Sequence, residues 1–309
     1  MTQGFESATS LLNAAFDAID DEDFDRAVEM AGQFIAMNPD SARGYCARGL
    51  AYANLDDFVR ALQDLNRAVK LNPKDPTARL WRGNVLSEVR YFDRALHDYN
   101  VAIDIDPDDP EIYYRRGMAQ HHKGDLESAL DDLDLASALI AKTPKAFEEL
   151  RLKVLLDRAD VFCARGELAD AIADLTTVIK FEPDCQEAYY SRGIAYCEGG
   201  DYKHALSDLT ICIDLNPQSA DGYYNRGMVY TEMHEFKKAI ADFTQAIRLE
   251  PDDAGLYNQR GLVYAYQKDF ENAITDFHQA VQLDPNDYEA NANLEKASNE
   301  KFFESVRKR

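Results

Sequence analysis

The chain has 309 residues, and its 56 aspartates and glutamates outnumber its 34 lysines and arginines, which gives a formal net charge of −22. Such an acidic excess repels phosphate backbones and anionic lipid headgroups, so it argues against nucleic-acid partners and favours encounters with a basic partner. Hydrophobic residues make up 46% of the sequence, including 17 tyrosines and 15 phenylalanines, so the composition predicts a folded chain rather than a disordered one.

The N-terminal segment and the cysteines indicate the compartment. The first ten residues contain neither a positively charged stretch nor an apolar run long enough for export or for crossing a bilayer. The five cysteines form no C-x-x-C pair, and an odd number cannot make a complete disulfide framework. These features predict a soluble cytoplasmic protein with reduced thiols and no membrane insertion.

An internal repeat dominates the sequence. Prolines recur with a spacing of 34 residues, and one gap, from Pro107 to Pro183, measures 76 residues, which is two periods plus eight. The series comprises Pro39, Pro73, Pro107, Pro183, Pro217, Pro251 and Pro285. The spacing therefore predicts one continuous repeat array in which one unit lacks its proline and carries an insertion.

Each unit has the pattern of two helices joined by a turn. Apolar residues follow helical spacing in both halves, and glycines such as Gly124, Gly166 and Gly200 mark the turn between them. Small residues recur where the two helices must approach closely. They are Gly49, Gly83, Gly117, Gly193, Gly227 and Gly261 in the first helix and Ala61, Ala95, Ala129, Ala171, Ala205, Ala239 and Ala273 in the second. A glycine inside a helix costs about 1 kcal/mol relative to alanine, so its recurrence indicates a packing requirement.

The order of aromatic, small and proline positions is that of a known repeat family. One unit reads Tyr223, Tyr224, Asn225, Arg226 and Gly227, followed by Tyr230, Phe236, Ala239, Phe243, Ala246 and Pro251. This pattern resembles the tetratricopeptide repeat family across nearly the whole chain. The resemblance implies an all-α fold, a right-handed α-α superhelix (solenoid) of about eight helical hairpins with a C-terminal capping helix, in which the first helices line a concave groove.

The repeats are expected to start near residues 8, 42, 76, 110, 152, 186, 220 and 254, so that the array occupies 1–287 and the capping helix 288–309. The first repeat departs most from the pattern, because Ala31 and Phe34 stand where later repeats carry a large and a small residue. Terminal repeats are often atypical because they act as caps.

A ladder of arginines and aspartates runs through all seven later repeats. Each arginine precedes the small residue of the first helix, and an aspartate follows sixteen positions later: Arg48 and Asp64, Arg82 and Asp98, Arg116 and Asp132, Arg158 and Asp174, Arg192 and Asp208, Arg226 and Asp242, Arg260 and Asp276. The first repeat has lost both and carries Ala14 and Met30. Joint presence and joint loss predict that the two side chains meet in a structural ion pair. A ladder of arginines for anionic ligands is the weaker alternative, because each arginine comes with its own acid.

The groove implied by the family geometry would be aromatic and acidic. Its expected partner-binding residues are Tyr114, Tyr190, Tyr224 and Asn258 together with Glu111, Asp160, Glu187 and Asp221, against the two cations Arg43 and Lys153. Such a wall suits a basic or apolar peptide or protein segment. The alternative is that the tyrosines pack against the adjacent repeat. The clamp of lysines, asparagines and an arginine that holds carboxylates in one subfamily is not reproduced, which disfavours a chaperone C-terminus as ligand.

The eight extra residues lie near 141–151. Thr143 followed by Pro144 predicts a helix N-cap and first helical position, and an apolar face continues through Phe147, Leu150, Val154 and Leu155. One or both flanking helices are then expected to project about two turns beyond their neighbours. The insertion either adjusts the superhelical pitch or forms a partner-specific ridge.

The sequence predicts that the capping helix, 288–309, is a solvated cap. Leu294, Ala297 and Val306 form an apolar stripe, and the basic residues Arg307, Lys308 and Arg309 suit a helix C-terminus. The alternative is that Phe302 and Phe303 form a docking or self-association patch.

No pattern for chemistry accompanies the repeat. The six histidines are scattered, no metal or cofactor is expected, and the sequence contains no phosphate-binding loop, nucleophile elbow or zinc-protease motif. The sequence therefore favours a non-catalytic scaffold that binds another protein in its groove. A self-assembling structural protein is the alternative, with the array as a weak homo-oligomer, and a helical repeat that binds RNA is disfavoured by the net charge.

Overall fold

Seventeen α-helices make up the described part of the chain. The computed structural model describes the backbone of residues 2–143 and 145–307 and the side chains of residues 8–143 and 145–301, and these contain no strand. The helices are α1 (Thr2–Asp20), α2 (Phe24–Met37), α3 (Ala42–Asn54), α4 (Phe58–Leu71), α5 (Pro76–Glu88), α6 (Phe92–Ile105), α7 (Pro110–Lys123), α8 (Leu126–Lys142), α9 (Glu148–Arg165), α10 (Leu168–Phe181), α11 (Gln186–Glu198), α12 (Tyr202–Leu215), α13 (Ala220–Glu232), α14 (Phe236–Leu249), α15 (Ala254–Tyr266), α16 (Phe270–Leu283) and α17 (Tyr288–Arg307).

From α1 to α8 and from α10 to α17 the helices pack in chain order on their neighbours, as the sequence predicts. Odd-numbered helices from α1 to α15 are the first helices of repeats, and even-numbered ones are the second helices. First helices also contact the next first helix, as α1 does α3, α3 does α5, α5 does α7, α11 does α13, and α15 does α17. The chain divides into two compact units, one ending at Val161 and the other beginning at Phe162, so α9 contributes to both.

Each pair turns through one residue with positive φ. Glycine occupies this place at Gly124, Gly166 and Gly200, and other residues occupy it at Glu22, Asp56, Arg90, His234 and Lys268. An aspartate then caps five of the second helices by accepting a hydrogen bond from the backbone N–H three residues on: Asp23, Asp57, Asp125, Asp201 and Asp269. Turn and cap together fix the hairpin locally.

The core explains the helical glycines. A Cβ on Gly83 would lie 2.5 Å from the ring of Tyr99, and one on Gly261 would lie 2.7 Å from Phe277. In the first repeat the large and small positions of the second helix are exchanged. The large residue finds its space at the junction with the second repeat. Phe34 is buried there against Gly44, where a Cβ would lie 2.7 Å from the Phe34 ring.

The insertion lengthens two helices by about one turn each, rather than either by two. The helix α8 has 17 residues against 14 in α6, and α9 has 18 against 14 in α7. Thr143 is the C-cap of α8, so its predicted role as an N-cap is wrong, and Pro144 lies outside the described residues. Because α9 begins only at Glu148, the segment between the helices still makes the turn.

The two ends of the array fall partly outside the described residues. The helix α1 begins at Thr2 and contains the predicted start of the first repeat near residue 8. Leu294 and Ala297 of α17 pack with Phe277 of α16, so α17 covers the apolar face of the last hairpin. The side chains of Phe302, Phe303, Val306 and Arg307, and Lys308 and Arg309 altogether, lie outside the described residues. None of the described helices combines the length and the apolarity that a membrane span requires.

Candidate functional site

Of the seven predicted arginine–aspartate pairs, three lie within the N-terminal unit and three within the C-terminal unit, and these six have the same geometry. The arginine donates from Nε to Oδ2 and from Nη2 to Oδ1 over 2.6–2.9 Å, and the aspartates are only 1–7% exposed. Each pair joins the first and second helices of one repeat with two parallel charged hydrogen bonds. Arg158 and Asp174 belong to different units, so their pairing stays a prediction.

Five of these arginines also bond to the preceding repeat, a contact that the sequence pattern did not predict. Arg82, Arg116, Arg192, Arg226 and Arg260 each donate from Nη1 to a side chain sixteen positions earlier, over 2.6–3.3 Å. Arg158 donates from Nη1 to Asp134, twenty-four positions earlier, at 2.6 Å. The acceptors are Asn66, Asn100, Asp134, Thr176, Thr210 and Thr244. An arginine that holds two repeats together has few donors left for an anionic ligand, so the geometry supports the structural interpretation of the ladder.

Several expected groove residues bond to the following repeat. Tyr114 donates from its hydroxyl to Asp157 Oδ2 at 2.7 Å, and Asn225 donates to the Tyr190 hydroxyl at 3.0 Å. Asn258 accepts from the Asn293 amide at 3.0 Å. With exposures of 7% and 4%, Tyr114 and Asn258 are helix–helix contacts rather than open surface, as the alternative interpretation expects. Tyr190 and Tyr224 are half-buried.

Most of the expected acidic residues are open to solvent. Asp160, Glu187 and Asp221 are exposed, and Glu111 is half-buried, with Oε1 3.2 Å from the guanidinium of Arg115. The two predicted cations, Arg43 and Lys153, are exposed as well.

Three adjoining cavities lie along the first helices of the N-terminal unit. The first, about 390 Å³, lies between α1, α3 and α5, and the second, about 310 Å³, lies against α3, α4 and α5. The third, about 420 Å³, is formed by α5, α6, α7 and α9. Trp81 belongs to the first two, and Asn84 and Glu88 belong to the second and third. Because neighbouring cavities share residues, they form one continuous face, here called the first-helix groove.

Aromatic side chains supply much of this groove. The rings of Phe16 and Trp81 lie 6.3 Å apart, and the guanidinium of Arg43 lies 5.8 Å from the Phe16 ring. Of the residues predicted to bind a partner, Tyr114 alone lines a cavity among those described above. Phe16, Trp81 and Glu88 were missed, although a single tryptophan on a first helix is a signal that could have singled out this face.

The C-terminal unit presents a simpler face. Ile194, Met228 and Leu262 occupy the same position of successive repeats, 34 residues apart, and each is half-buried. Exposed Glu198 and Glu232 follow four residues after Ile194 and Met228, at the ends of their helices. Burial raises the pKa of the nearby Cys197 thiol, and the charges of Glu232 and Glu198 raise it further. The face therefore combines apolar side chains with a negative potential.

Comparison with known proteins gives the same repeat. A family model described as "Tetratricopeptide repeat" matches residues 17–85, another of that description matches 220–253 and 254–287, and one described as "TPR repeat" matches 92–124 and 159–198. Together these matches cover about two thirds of the chain. No curated protein matches the sequence.

Solved structures share the fold at low sequence identity. A chain of the APC/C hetero-tetramer Cut9-Hcn1 is similar with a TM-score of 0.59 and 17% identity; the match covers 89% of the present chain and 52% of that chain. PilF of Pseudomonas aeruginosa has a TM-score of 0.58 at 17% identity, covering 68% and 92%. YrrB, described as a TPR protein with an unusual peptide-binding site, has a TM-score of 0.50 at 23% identity, covering 61% and 93%. The present chain thus spans about half the length of the Cut9-Hcn1 chain.

Proposed function

The chain belongs to the tetratricopeptide repeat family, and we propose that it is a non-catalytic scaffold that binds a peptide or protein segment along its first helices. The observation that carries the proposal is the continuity of the first-helix groove from Phe16 through Trp81 to Glu88. A groove of linked cavities with aromatic walls fits an elongated ligand better than a compact small molecule.

The chemistry of the lining supports a protein ligand. Trp81 is half-buried and adjoins two cavities, so it offers a rigid aromatic surface that a partner side chain can cover. Aromatic residues of this kind carry a large share of binding energy in protein interfaces. An interface of modest size formed here is expected to bind with a dissociation constant of roughly micromolar order.

The charge distribution supports a basic or apolar ligand. The chain carries a net charge of −22, and the first helices of the C-terminal unit expose Glu187, Asp221, Glu198 and Glu232. These carboxylates stand on the same helices as the apolar side chains Ile194 and Met228. A segment with alternating basic and apolar residues complements both features.

A displayed library of random peptides, selected against the whole chain, tests the proposal. Enriched peptides without tryptophan are synthesised with a fluorescent label, and binding is measured by anisotropy. Trp81 is the single tryptophan, so its intrinsic fluorescence gives a second readout inside the groove. We expect enriched peptides to bind at roughly micromolar concentration and to be rich in basic and apolar residues.

Two blocking variants and one matched control locate the binding face. Ala53→Arg fills a cavity of the groove, and Met228→Arg places a charge among the apolar residues of the C-terminal unit. Gln63→Arg adds an arginine on the exposed side of α4. Loss of binding in either blocking variant, with binding retained by Gln63→Arg, supports the proposal. Failure to enrich any peptide, or binding that both blocking variants retain, overturns it.

A further inference from the structure

The third cavity of the groove contains a carboxylate that makes no ion pair within the described residues. Asp157 projects from α9 into this cavity of about 420 Å³, where Oδ2 accepts the hydroxyl of Tyr114 at 2.7 Å. Among the described residues, no lysine, arginine or histidine forms an ion pair with it. A half-buried carboxylate without a counter-ion lowers the stability of the fold, so packing alone does not account for Asp157.

The equivalent place in other repeats shows that packing does not require a charge. Asn225 and Asn293 stand at the same repeat position as Asp157, and each bonds to the preceding first helix, Asn225 to Tyr190 and Asn293 to Asn258. An amide oxygen accepts a tyrosine hydroxyl as well as a carboxylate does. Burial raises the pKa of Asp157, although the Tyr114 hydrogen bond and the charges of His121, Arg115 and His122 oppose that rise. The carboxylate is therefore held at a cost that asparagine would avoid.

The cations around the cavity are largely engaged elsewhere. Arg115 lies over the Tyr114 ring at 5.3 Å and contacts Glu111 Oε1 through Nη2 at 3.2 Å. His122 Nδ1 lies 2.8 Å from the carbonyl oxygen of Met118, and since that oxygen can only accept, Nδ1 carries the proton. In the neutral ring Nε2 is then an acceptor. The cavity is lined by two carboxylates, Asp157 and Glu88, together with Arg115 and the turn residue Arg90.

The walls of the cavity suit a cation with an aliphatic stem. Tyr99 and Tyr114 line it, and the ring of Phe92 stacks on His122 with centroids 6.1 Å apart. Aromatic faces attract a cation and cover the methylene groups of its side chain. An anionic side chain entering the same space would meet Asp157 and Glu88.

From the geometry we infer that this cavity is a subsite for one lysine or arginine side chain of the bound segment, with Asp157 as the carboxylate that receives it. The inference rests on the proposed function and adds to it a position in the groove and a chemical class. Asp157 has the role of a specificity determinant, because an amide in its place keeps the Tyr114 hydrogen bond and loses the charge.

Amino-acid amides test the subsite without requiring any peptide to bind. The probes are N-acetyl-arginine amide, N-acetyl-lysine amide, the uncharged N-acetyl-citrulline amide and the anionic N-acetyl-aspartate amide. Each is titrated into the ¹⁵N-labelled whole chain, and amide chemical shifts of α5, α7 and α9 are followed by NMR. We expect the two cations to shift resonances around Tyr114 and Asp157, and citrulline to bind roughly fivefold more weakly or not at all.

The variants Asp157→Asn and Asp131→Asn complete the test. Asp131 is an exposed residue of α8, so its variant removes one negative charge outside the cavity. We expect Asp157→Asn to weaken binding of the cations by roughly fivefold while Asp131→Asn leaves it unchanged. Equal binding of arginine and citrulline amides, preferred binding of the aspartate amide, or an unchanged affinity in Asp157→Asn overturns the inference.

The two proposals fail in different ways. If the cations bind in the cavity but library peptides are not captured, the subsite stands and the wider binding function falls. If peptides bind the groove with no loss in Asp157→Asn, the binding function stands and the subsite falls.

Discussion

The Nη1 of Arg48 faces Gly32, where a Cβ would lie 3.9 Å from that nitrogen. At five later junctions the corresponding arginine donates from Nη1 to a side chain sixteen positions earlier, as Arg260 does to Thr244 at 3.0 Å. Glycine at position 32 provides no acceptor, so the first junction of the array lacks a hydrogen bond that the later ones possess. This difference follows from one residue and can be reversed.

Replacing Gly32 with threonine is expected to supply the missing acceptor. Gly32→Val serves as the matched control, because valine has nearly the same shape and helix propensity as threonine but no hydroxyl. We expect the threonine variant to unfold with a free energy about 1 kcal/mol higher than the valine variant. Urea denaturation, read together with hydrogen exchange of α2 and α3, measures the difference, and equal stability of the two variants would show that Arg48 does not use the new hydroxyl.

Removing one member of a buried arginine–aspartate pair is expected to lower the free energy of unfolding more than removing both members. Arg116 and Asp132 lie 2.6 Å apart, with the Asp132 side chain 3% exposed. Arg116→Met leaves that carboxylate buried and unpaired, which should cost about 3–5 kcal/mol. The double variant Arg116→Met with Asp132→Leu should recover a large part of the loss, because no buried charge remains.

Hydrogen exchange of α7 and α8 is the measurement for this pair, since repeat arrays unfold locally and interface by interface. Arg248→Met is the control, because Arg248 is exposed and, within the described residues, bonds only Gln245. It should change stability by less than about 1 kcal/mol. A double variant no more stable than Arg116→Met alone would argue against an unpaired carboxylate as the source of the loss.

The hairpin turns offer a reciprocal pair of substitutions. Lys268 has φ 61°, in the left-handed region, whereas the equivalent turn of another repeat has Gly200 at φ 76°. Because a side chain is disfavoured there, Lys268→Gly is expected to stabilise the chain by about 1 kcal/mol, and Gly200→Ala to destabilise it by a similar amount. Thermal melts of both variants check the signs, and a loss of stability in Lys268→Gly would point to a favourable contact of the lysine side chain.

The stability of Asp157→Asn should depend on pH in a defined direction. Because burial raises the folded-state pKa of Asp157, the folded chain holds this proton more tightly than the unfolded chain does. Ionised Asp157 therefore destabilises the folded chain. This destabilisation is absent well below the usual aspartate pKa and is fully present once the pH has risen through the folded-state pKa. Asp157→Asn should accordingly stabilise the protein at about pH 7.5 and lose that advantage at about pH 4.

Denaturation of Asp157→Asn and of Asp131→Asn at both pH values separates this effect from a general change in net charge. Asp131 is exposed, so its variant should show little of the pH dependence. Greater stability of wild type over Asp157→Asn at neutral pH would mean that the carboxylate is stabilised by its surroundings, contrary to the burial argument.

The sequence by itself determined the repeated elements and the pairs within them. A period of 34 residues, small residues in fixed places and an arginine always sixteen positions before an aspartate predicted the hairpins and the contact of Arg226 with Asp242. These features are readable because both partners belong to one repeat and recur together. The turn at the insertion was misjudged at Thr143, since a threonine before proline suits a helix start while here it ends α8.

What only the tertiary structure decided are the contacts between repeats and the surface they leave. Tyr114 is bonded to Asp157 and Asn258 to Asn293, so these two residues, expected to line an open groove, are buried. The cavities fall around Trp81, Asn84 and Glu88, and Tyr114 lines only the third. A periodic sequence states which positions are equivalent, but not how far each first helix is rotated and displaced against the next. That packing depends on the particular side chains at each junction, and it decides whether a tyrosine fills the seam or faces a ligand.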